Sequence, residues 1–352
     1  MAYSLLAGRY CERITGPDLY TVLLAKELVK HNYEVSIIAY AEEGPPIEYV
    51  AGVKVIKIRG RFSRSNLPLK ALNVYAAMRK ARADIYFQQG GAGSITPLFC
   101  RLNRKRSVIS IASEGYVRKE LKDWGSTFRL NSALEIRLAD TLIVQTDFQK
   151  AMLKKHFGKE SVMIKNPFPL TERITSEKAK PPVVLWVGSL DSVVKQPEWL
   201  LKLATLVPEA KFQIMGGSVG RYHYERIEQM SRDIGNLQLL GCVPFHETNR
   251  YFEEAVILVN TSKYEGFPNA FIQAWMCYTP VVSLNADPDE IICRYQLGLH
   301  SKTFDQLEED VKTLLGNEQL REEMGRNGRS YVEREHDINK IVEQYREVFN
   351  RL

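Results

Sequence analysis

The chain is poor in long apolar runs. None of its 352 residues lies in a stretch approaching the roughly 20 apolar residues that a membrane-spanning helix needs. The first residues also lack the basic start and apolar core of a secretory signal. Cysteine is scarce and odd in number: Cys11, Cys100, Cys242, Cys277 and Cys293 share no metal-ligand spacing, which reads as reduced thiols in a cytoplasmic protein rather than a disulfide framework. The six histidines show no ligand spacing either, so no metal is expected. No Gly-x-Gly-x-x-Gly follows an initial strand, which disfavours a nicotinamide-dependent dehydrogenase. Internal repeats are absent.

What is present fits two ordinary domains, since a domain takes about 100–200 residues and 45% hydrophobic residues suffice for two cores. Charge is unevenly spread. Residues 1–180 carry 30 Lys and Arg against 17 Asp and Glu (+13), and residues 181–352 carry 18 against 25 (−7), which together give the formal +6. The basic half either meets anions on a surface or is a solvated face without a partner. Arg59, Arg61, Arg64, Lys70, Arg79, Lys80 and Arg82 crowd one part of it, interleaved with Phe62, Leu67, Leu69, Leu72, Val74 and Tyr75. A second basic knot follows at Arg101, Arg104, Lys105 and Arg106. A helix with basic and apolar faces can lie in an anionic membrane interface; nucleic acid is not expected, because aromatics are too sparse for a stacking platform.

Strands and helices alternate along the whole length. A helix is expected over residues 17–30, opened by Gly16-Pro17-Asp18, and strands over 34–39, 53–58, 84–87, 107–111, 140–145 and 162–165. Before that helix only residues 3–7 qualify as a strand. Either the sheet begins with this stub or the true start lies upstream, and the second is favoured. Gly90-Gly91-Ala92-Gly93-Ser94 follows a strand and precedes a helix, as phosphate-binding loops do; lacking a P-loop lysine, it reads better as a tight turn. Residues 166–182, with four prolines and no apolar period, look like a linker. A second series of strands is expected over 183–187, 212–215, 237–240, 256–260 and 280–284, and a helical tail over 304–315, 318–333 and 337–349. Apolar strands alternating with helices indicate α/β domains with doubly wound, mostly parallel sheets.

The stretch from Val259 to Leu284, VNTSKYEGFPNAFIQAWMCYTPVVSL, is the most informative. It reads as strand, turn, helix, strand, with the helix starting at Phe267-Pro268-Asn269 because proline is tolerated in a first helical turn. First-turn N–H groups and the helix dipole make an anion site there, and Glu265 stands beside it. A carboxylate that takes hydroxyl protons next to a phosphate-holding helix end suits a sugar nucleotide.

Glu265-Gly266-Phe267, a helix with Gln273 eight residues after Glu265, then Ala274, Met276 and Pro280-Val281-Val282 resemble the signature of family-four retaining glycosyltransferases of the GT-B fold. That resemblance implies two Rossmann-like domains facing a cleft: an acceptor-side domain (1–168), a nucleotide-sugar domain (169–334) and a C-terminal helix (335–352) that packs back on the first. It implies that Glu265 addresses the donor hexose and that the residue at 273, a Glu in the family, bonds the ribose. Val187-Gly188-Ser189-Leu190 with Lys195 is similar to the family's Gly-Arg-Leu followed by Lys, the pair that holds the diphosphate; Lys195 matches, and Ser189 stands where the family has arginine. Val243 falls where the family's backbone meets the nucleobase, Gly217 in the family's glycine turn nearby, Gly16 in its N-terminal glycine loop, and Phe267, Pro268 and Asn269 at the donor. Where the family often has a histidine after the fifth strand, this chain has Ser113 and Glu114, candidates for the acceptor or catalytic loop.

The expected function is therefore transfer of a hexose from a UDP- or GDP-sugar to a glycan or lipid-linked acceptor, with retention and without metal or cofactor. Peripheral association with the inner face of the cell membrane is one expectation for the basic half. The departures at 189 and 273, with the absent histidine, keep open a degenerate subunit that binds nucleotide sugar or a partner transferase without turnover. A sugar-nucleotide 2-epimerase ranks third, because the pattern from Glu265 to Val282 fits transferases better.

Overall fold

A computed structural model describes residues 2–8, 15–41, 44–59, 67–91, 93–117, 126–170, 178–190, 193–217 and 221–352. Ala92, most of the loop over 112–124 and the centre of the proline-rich linker lie outside them. The chain forms two compact units. The first holds Pro17–Pro167 and Ile338–Leu352 together with the start of the chain; the second holds Phe168–Asp337 and counts Gly16 among its residues.

In chain order the first unit contains α1 (Ala2–Leu6), α2 (Gly16–Lys30), β1 (Ser36–Ala41), β2 (Ile47–Val50), β3 (Val53–Arg59), α3 (Leu67–Ala81), β4 (Ile85–Gln89), α4 (Ile95–Asn103), β5 (Arg106–Ser110), α5 (Ser126–Leu138), β6 (Thr141–Val144), α6 (Asp147–Phe157) and β7 (Val162–Met163). Of residues 3–7, expected to be a strand, 3–6 are helical instead and Ala7 is a turn. Tyr3 and Leu6 stand one turn apart and bury against Val22, Ala25, Ile37 and Val55, so helical spacing gives both an apolar contact. The strands form two ladders, β1-β3-β2 and β4-β5-β6-β7. All pairs are parallel except β2 with β3. The antiparallel β2 escaped sequence reading because Ile47–Val50 is four residues long and half exposed.

Side chains alternate across a sheet, and the β4/β5 register pairs Phe87 with Val108 and Gln88 with Ile109. Phe87, Val108 and Ile143 therefore face one way, toward α2 and the C-terminal residues Ile341, Val342 and Tyr345. Tyr86 and Ile109 face the other way, toward Met78 of α3, Phe99 and Cys100 of α4 and Ile136 of α5. The phenols of Tyr20 and Tyr345 hydrogen-bond to each other in the first layer. Thr146 caps α6, its Oγ1 accepting from Gln149 N at 3.1 Å.

The glycine-rich loop after β4 is a turn whose described amides are already taken. Gly90 N donates to Ser110 O (2.7 Å), Gly91 N to Glu135 Oε2 (3.2 Å) and Ser94 N to Asn131 Oδ1 (3.1 Å). A phosphate would have to displace a buried carboxylate there. Gln88 completes the lock, donating to Glu135 and to Gly93 O while accepting from Thr96. Burial pushes the Glu135 carboxyl up to about 7, against the pull of hydrogen bonds from Gly91, Gln88 and Gly93. A carboxyl whose folded pKa is raised stabilises the fold fully below its unfolded value near 4.5, and that contribution is lost as pH rises through 7. The amount is at most about 3 kcal/mol. Urea unfolding at pH 5 and pH 8 should show wild type losing more stability at pH 8 than Glu135→Gln does; equal losses would contradict this assignment.

The second unit continues with β8 (Val183–Val187), α7 (Glu198–Leu206), β9 (Lys211–Met215), α8 (Arg221–Ser231), β10 (Leu237–Gly241), α9 (Phe245–Glu254), β11 (Ala255–Asn260), α10 (Asn269–Met276), β12 (Val281–Ser283), α11 (Ile291–Arg294), β13 (Gly298–His300), α12 (Phe304–Gly316) and α13 (Glu318–Glu335); α14 (Ile338–Asn350) returns to the first unit. Its six strands run parallel in the order β10-β9-β8-β11-β12-β13. The central strands are apolar but for Asn260 at the end of β11, which is buried at all six positions, as a parallel sheet covered on both faces requires. Lys178, from the linker, donates to Cys277 O (3.1 Å) and Thr279 Oγ1 (2.8 Å), and burial pulls its pKa down to about 8.

Candidate functional site

β8 and β11 are neighbours in the second sheet, and the chain's direction of travel reverses between them: β9 and β10 follow on one side, β12 and β13 on the other. An open α/β sheet leaves a crevice outside its strand ends at such a reversal, where ligands bind. The loops leaving β8 and β11 carry Lys195 and Glu265, and the two side chains meet there in a hydrogen-bonded ion pair with Glu265 Oε1. The Lys195 side chain is 27% exposed and that of Glu265 13%. The pair is mostly shielded yet keeps an edge open to solvent. It leaves two opposite charges that a ligand can reach.

The backbone under the pair is fixed. Thr261 Oγ1 donates to Lys195 O (2.7 Å) and accepts from Trp186 Nε1 (2.8 Å), and Lys263 N donates to Val194 O (2.8 Å). Thr261 was not legible as a site residue, because nothing in the sequence links it to a lysine 66 positions away. Three residues beyond Glu265, Pro268 takes the N-cap position of α10 with an extended ψ of 120°. Proline therefore precedes the helix rather than filling its first turn, and Asn269 is the first helical residue. The dipole of α10 and its first-turn N–H groups bring positive potential to this end. Phe267 is buried, its ring 4.7 Å from that of His336.

The loops after β8, β9 and β10 are stitched together. Gly188 N donates to Met215 O (3.1 Å), Leu190 N to Gly217 O (3.1 Å) and Gly216 N to Gly241 O (2.8 Å). Gly216 has φ +155°, and a Cβ there would stand 1.7 Å from Gly188 O, so only glycine lets the two loops approach. Ser189 and Gly217 lie in this stitched region, and Val243 follows β10 by two residues. Gln273 is 6% exposed and its Nε2 donates to Thr248 Oγ1 on α9 at 3.1 Å.

Gly16, the first residue of α2, meets the head of α10, its carbonyl accepting from Asn269 Nδ2 at 3.2 Å. Ser113 and Glu114 follow β5 in the first unit, where Ser113 Oγ caps a short 3-10 turn by accepting from Gly115 N at 3.3 Å. Among the described residues Asp287, Cys293 and His300 bring metal-ligand atoms within 4.8 Å of one another. The Asp287 carboxylate already accepts from Ile292 N (2.8 Å) and Cys293 N (3.5 Å), so it is engaged by first-turn amides of α11.

With this geometry in hand, likeness to known proteins is informative. Sucrose-phosphate synthase from Thermosynechococcus elongatus superposes with a TM-score of 0.84 at 19% identity, covering 96% of this chain and 93% of that one. HepE of Anabaena, solved with UDP and glucose, superposes at 0.77 and 15% identity, covering 97% and 98%. The fold is thus GT-B, built from Rossmann-like α/β units. Residues 181–317 match the glycosyl transferases group 1 family and residues 14–172 match Glycosyltransferase Family 4. The chain belongs to the group 1 glycosyltransferases. An uncharacterised glycosyltransferase of Methanocaldococcus jannaschii is 27% identical over 134 residues, 37% of this chain and 38% of that protein; the match spans less than two fifths of the relative.

Proposed function

We propose that the chain is a retaining hexosyltransferase that moves a hexose from a UDP- or GDP-sugar to a glycan or lipid-linked acceptor. The observation that supports this most is the Lys195–Glu265 pair at the strand reversal, with Glu265 four residues before the start of α10. In the free protein each charge occupies the other. An incoming diphosphate competes for Lys195 and frees Glu265 to accept hydroxyl protons from the hexose. Lys195 and the α10 dipole then neutralise the departing diphosphate, which needs no metal or cofactor, while the Glu265 carboxylate faces the positive charge that develops near the anomeric carbon. Gln273 would bond the ribose through its carbonyl, its N–H being held by Thr248. Gly217 and Val243 would border the base, with Ser189, Phe267, Pro268 and Asn269 around the donor and Gly16 at the glycine loop. Ser113 and Glu114 would serve the acceptor. UDP and glucose in HepE favour a uridine donor, and a cytoplasmic location suits such donors.

A second reading, a subunit that binds nucleotide sugar without turnover, is favoured by Ser189 in place of arginine, because a single lysine gives the diphosphate neither the charge nor the bidentate geometry of a Lys–Arg clamp. Thermal-shift screening against nucleotide sugars tests the shared core of both readings. One UDP- or GDP-sugar should raise the melting temperature in a saturable way. No shift with any nucleotide sugar or nucleoside diphosphate would overturn them.

A further inference from the structure

On one face of the β4–β7 sheet, α3, α4 and α5 lie side by side, α4 packing against both neighbours. Their inner sides bury Met78, Phe99 and Ile136. Their outer sides carry six exposed leucines in pairs one turn apart: Leu69 and Leu72 on α3, Leu98 and Leu102 on α4, Leu130 and Leu134 on α5. Three of these are among the most exposed apolar residues described, Leu72 at 66%, Leu102 at 69% and Leu130 at 73%. Single exposed leucines are ordinary; three paired sets on adjoining helices are not.

Among the described residues of these three helices the exposed charge has one sign. α3 and α4 contain no acidic residue, and the one in α5, Glu135, is buried. Arg101, Arg104, Arg129 and Arg137 are exposed beside the leucines, and Arg101 Nε is braced on Leu138 O at 3.2 Å. The surface differs from the stripe expected from sequence. Val74 and Tyr75 turn inward against α4 and the sheet, while Arg61, Phe62, Arg64 and the Leu67 side chain lie outside the described residues. What α3 contributes is Leu69 and Leu72; most of the surface belongs to α4 and α5.

We propose that the outer face of α3, α4 and α5 docks on an anionic lipid bilayer, the six leucines entering the headgroup boundary and the arginines meeting lipid phosphates. Leucines set among arginines without acids match a surface that is apolar beneath and negative above. None of the described helices is long and apolar enough to cross a membrane, so the contact is interfacial. Docking goes beyond the transferase reading and does not depend on it, because the vesicle assay below uses neither donor nor acceptor.

The test is sedimentation of the full chain with vesicles of phosphatidylglycerol and phosphatidylcholine in equal parts, and with phosphatidylcholine alone. Wild type should pellet with the first, far less with the second, and be released by high salt. Leu102→Ser with Leu130→Ser should lower partitioning to the anionic vesicles at least about tenfold, since each change removes several methylene equivalents from the interface. Both positions are exposed, so the melting temperature should hold, which separates lost docking from lost folding. Wild type staying in the supernatant with both vesicles, or the double variant pelleting like wild type, would overturn the proposal. So would concentration-dependent self-association without lipid that the same two substitutions abolish, which would assign the face to a second copy of the chain.

Discussion

Glu265→Ala is expected to lower the turnover of sugar transfer by at least about 100-fold, the range for removing one group that stabilises transition-state charge in a closed site. The fold should survive. Glu265 sits in a loop after β11, its carboxylate paired with Lys195 rather than packed in the apolar core, so the substitution removes one loop ion pair and no core contact. The substitution also unmasks Lys195, so affinity for UDP should be unchanged or slightly higher while turnover falls. That split distinguishes a group acting on the hexose from one that merely holds the site together. Assaying transfer or slow donor hydrolysis beside a UDP titration reads both. Turnover within a fewfold of wild type would remove Glu265 from the chemistry, and parallel loss of turnover and UDP binding would make its role structural.

Much of the fold was legible because its signals are local. Val183–Val187 is a five-residue apolar run and was placed to the residue, and Gly16-Pro17-Asp18 marked the start of α2. Elements were missed where burial was partial or a strand short. β2 is half exposed and antiparallel, and β13 has only three residues, Gly298–His300. Residues 3–7 carry an apolar pattern that suits either a strand or a helix, and the core around Val22 and Ile37 selected the helix.

The candidate site was legible in its side chains but not in their supports. Lys195 and Glu265 stood out through a resemblance carried by flanking residues, and the strand reversal brings them together. Thr261, which holds Lys195 in place, and Thr248, which occupies the amide of Gln273, are threonines without any motif, and only the packing of β11 beside β8 and of α9 beside α10 brings them into range. The glycine loop after β4 shows the reverse case. Its sequence resembles a phosphate cradle, yet Glu135 and Asn131, about forty residues downstream, already accept from its amides.

In the proposed function Lys195 binds the diphosphate of the donor. With no arginine at Ser189 to share that work, Lys195→Ala should weaken UDP binding by about 1.5–3 kcal/mol, the range for a hydrogen bond to a charged group, or roughly 10- to 150-fold in Kd. Isothermal titration of UDP into wild type and Lys195→Ala, with far-ultraviolet circular dichroism to confirm that both are folded, measures this directly. A loss in that range, with Lys195→Arg recovering most of the affinity, is the predicted result; equal affinity of wild type and Lys195→Ala would contradict it.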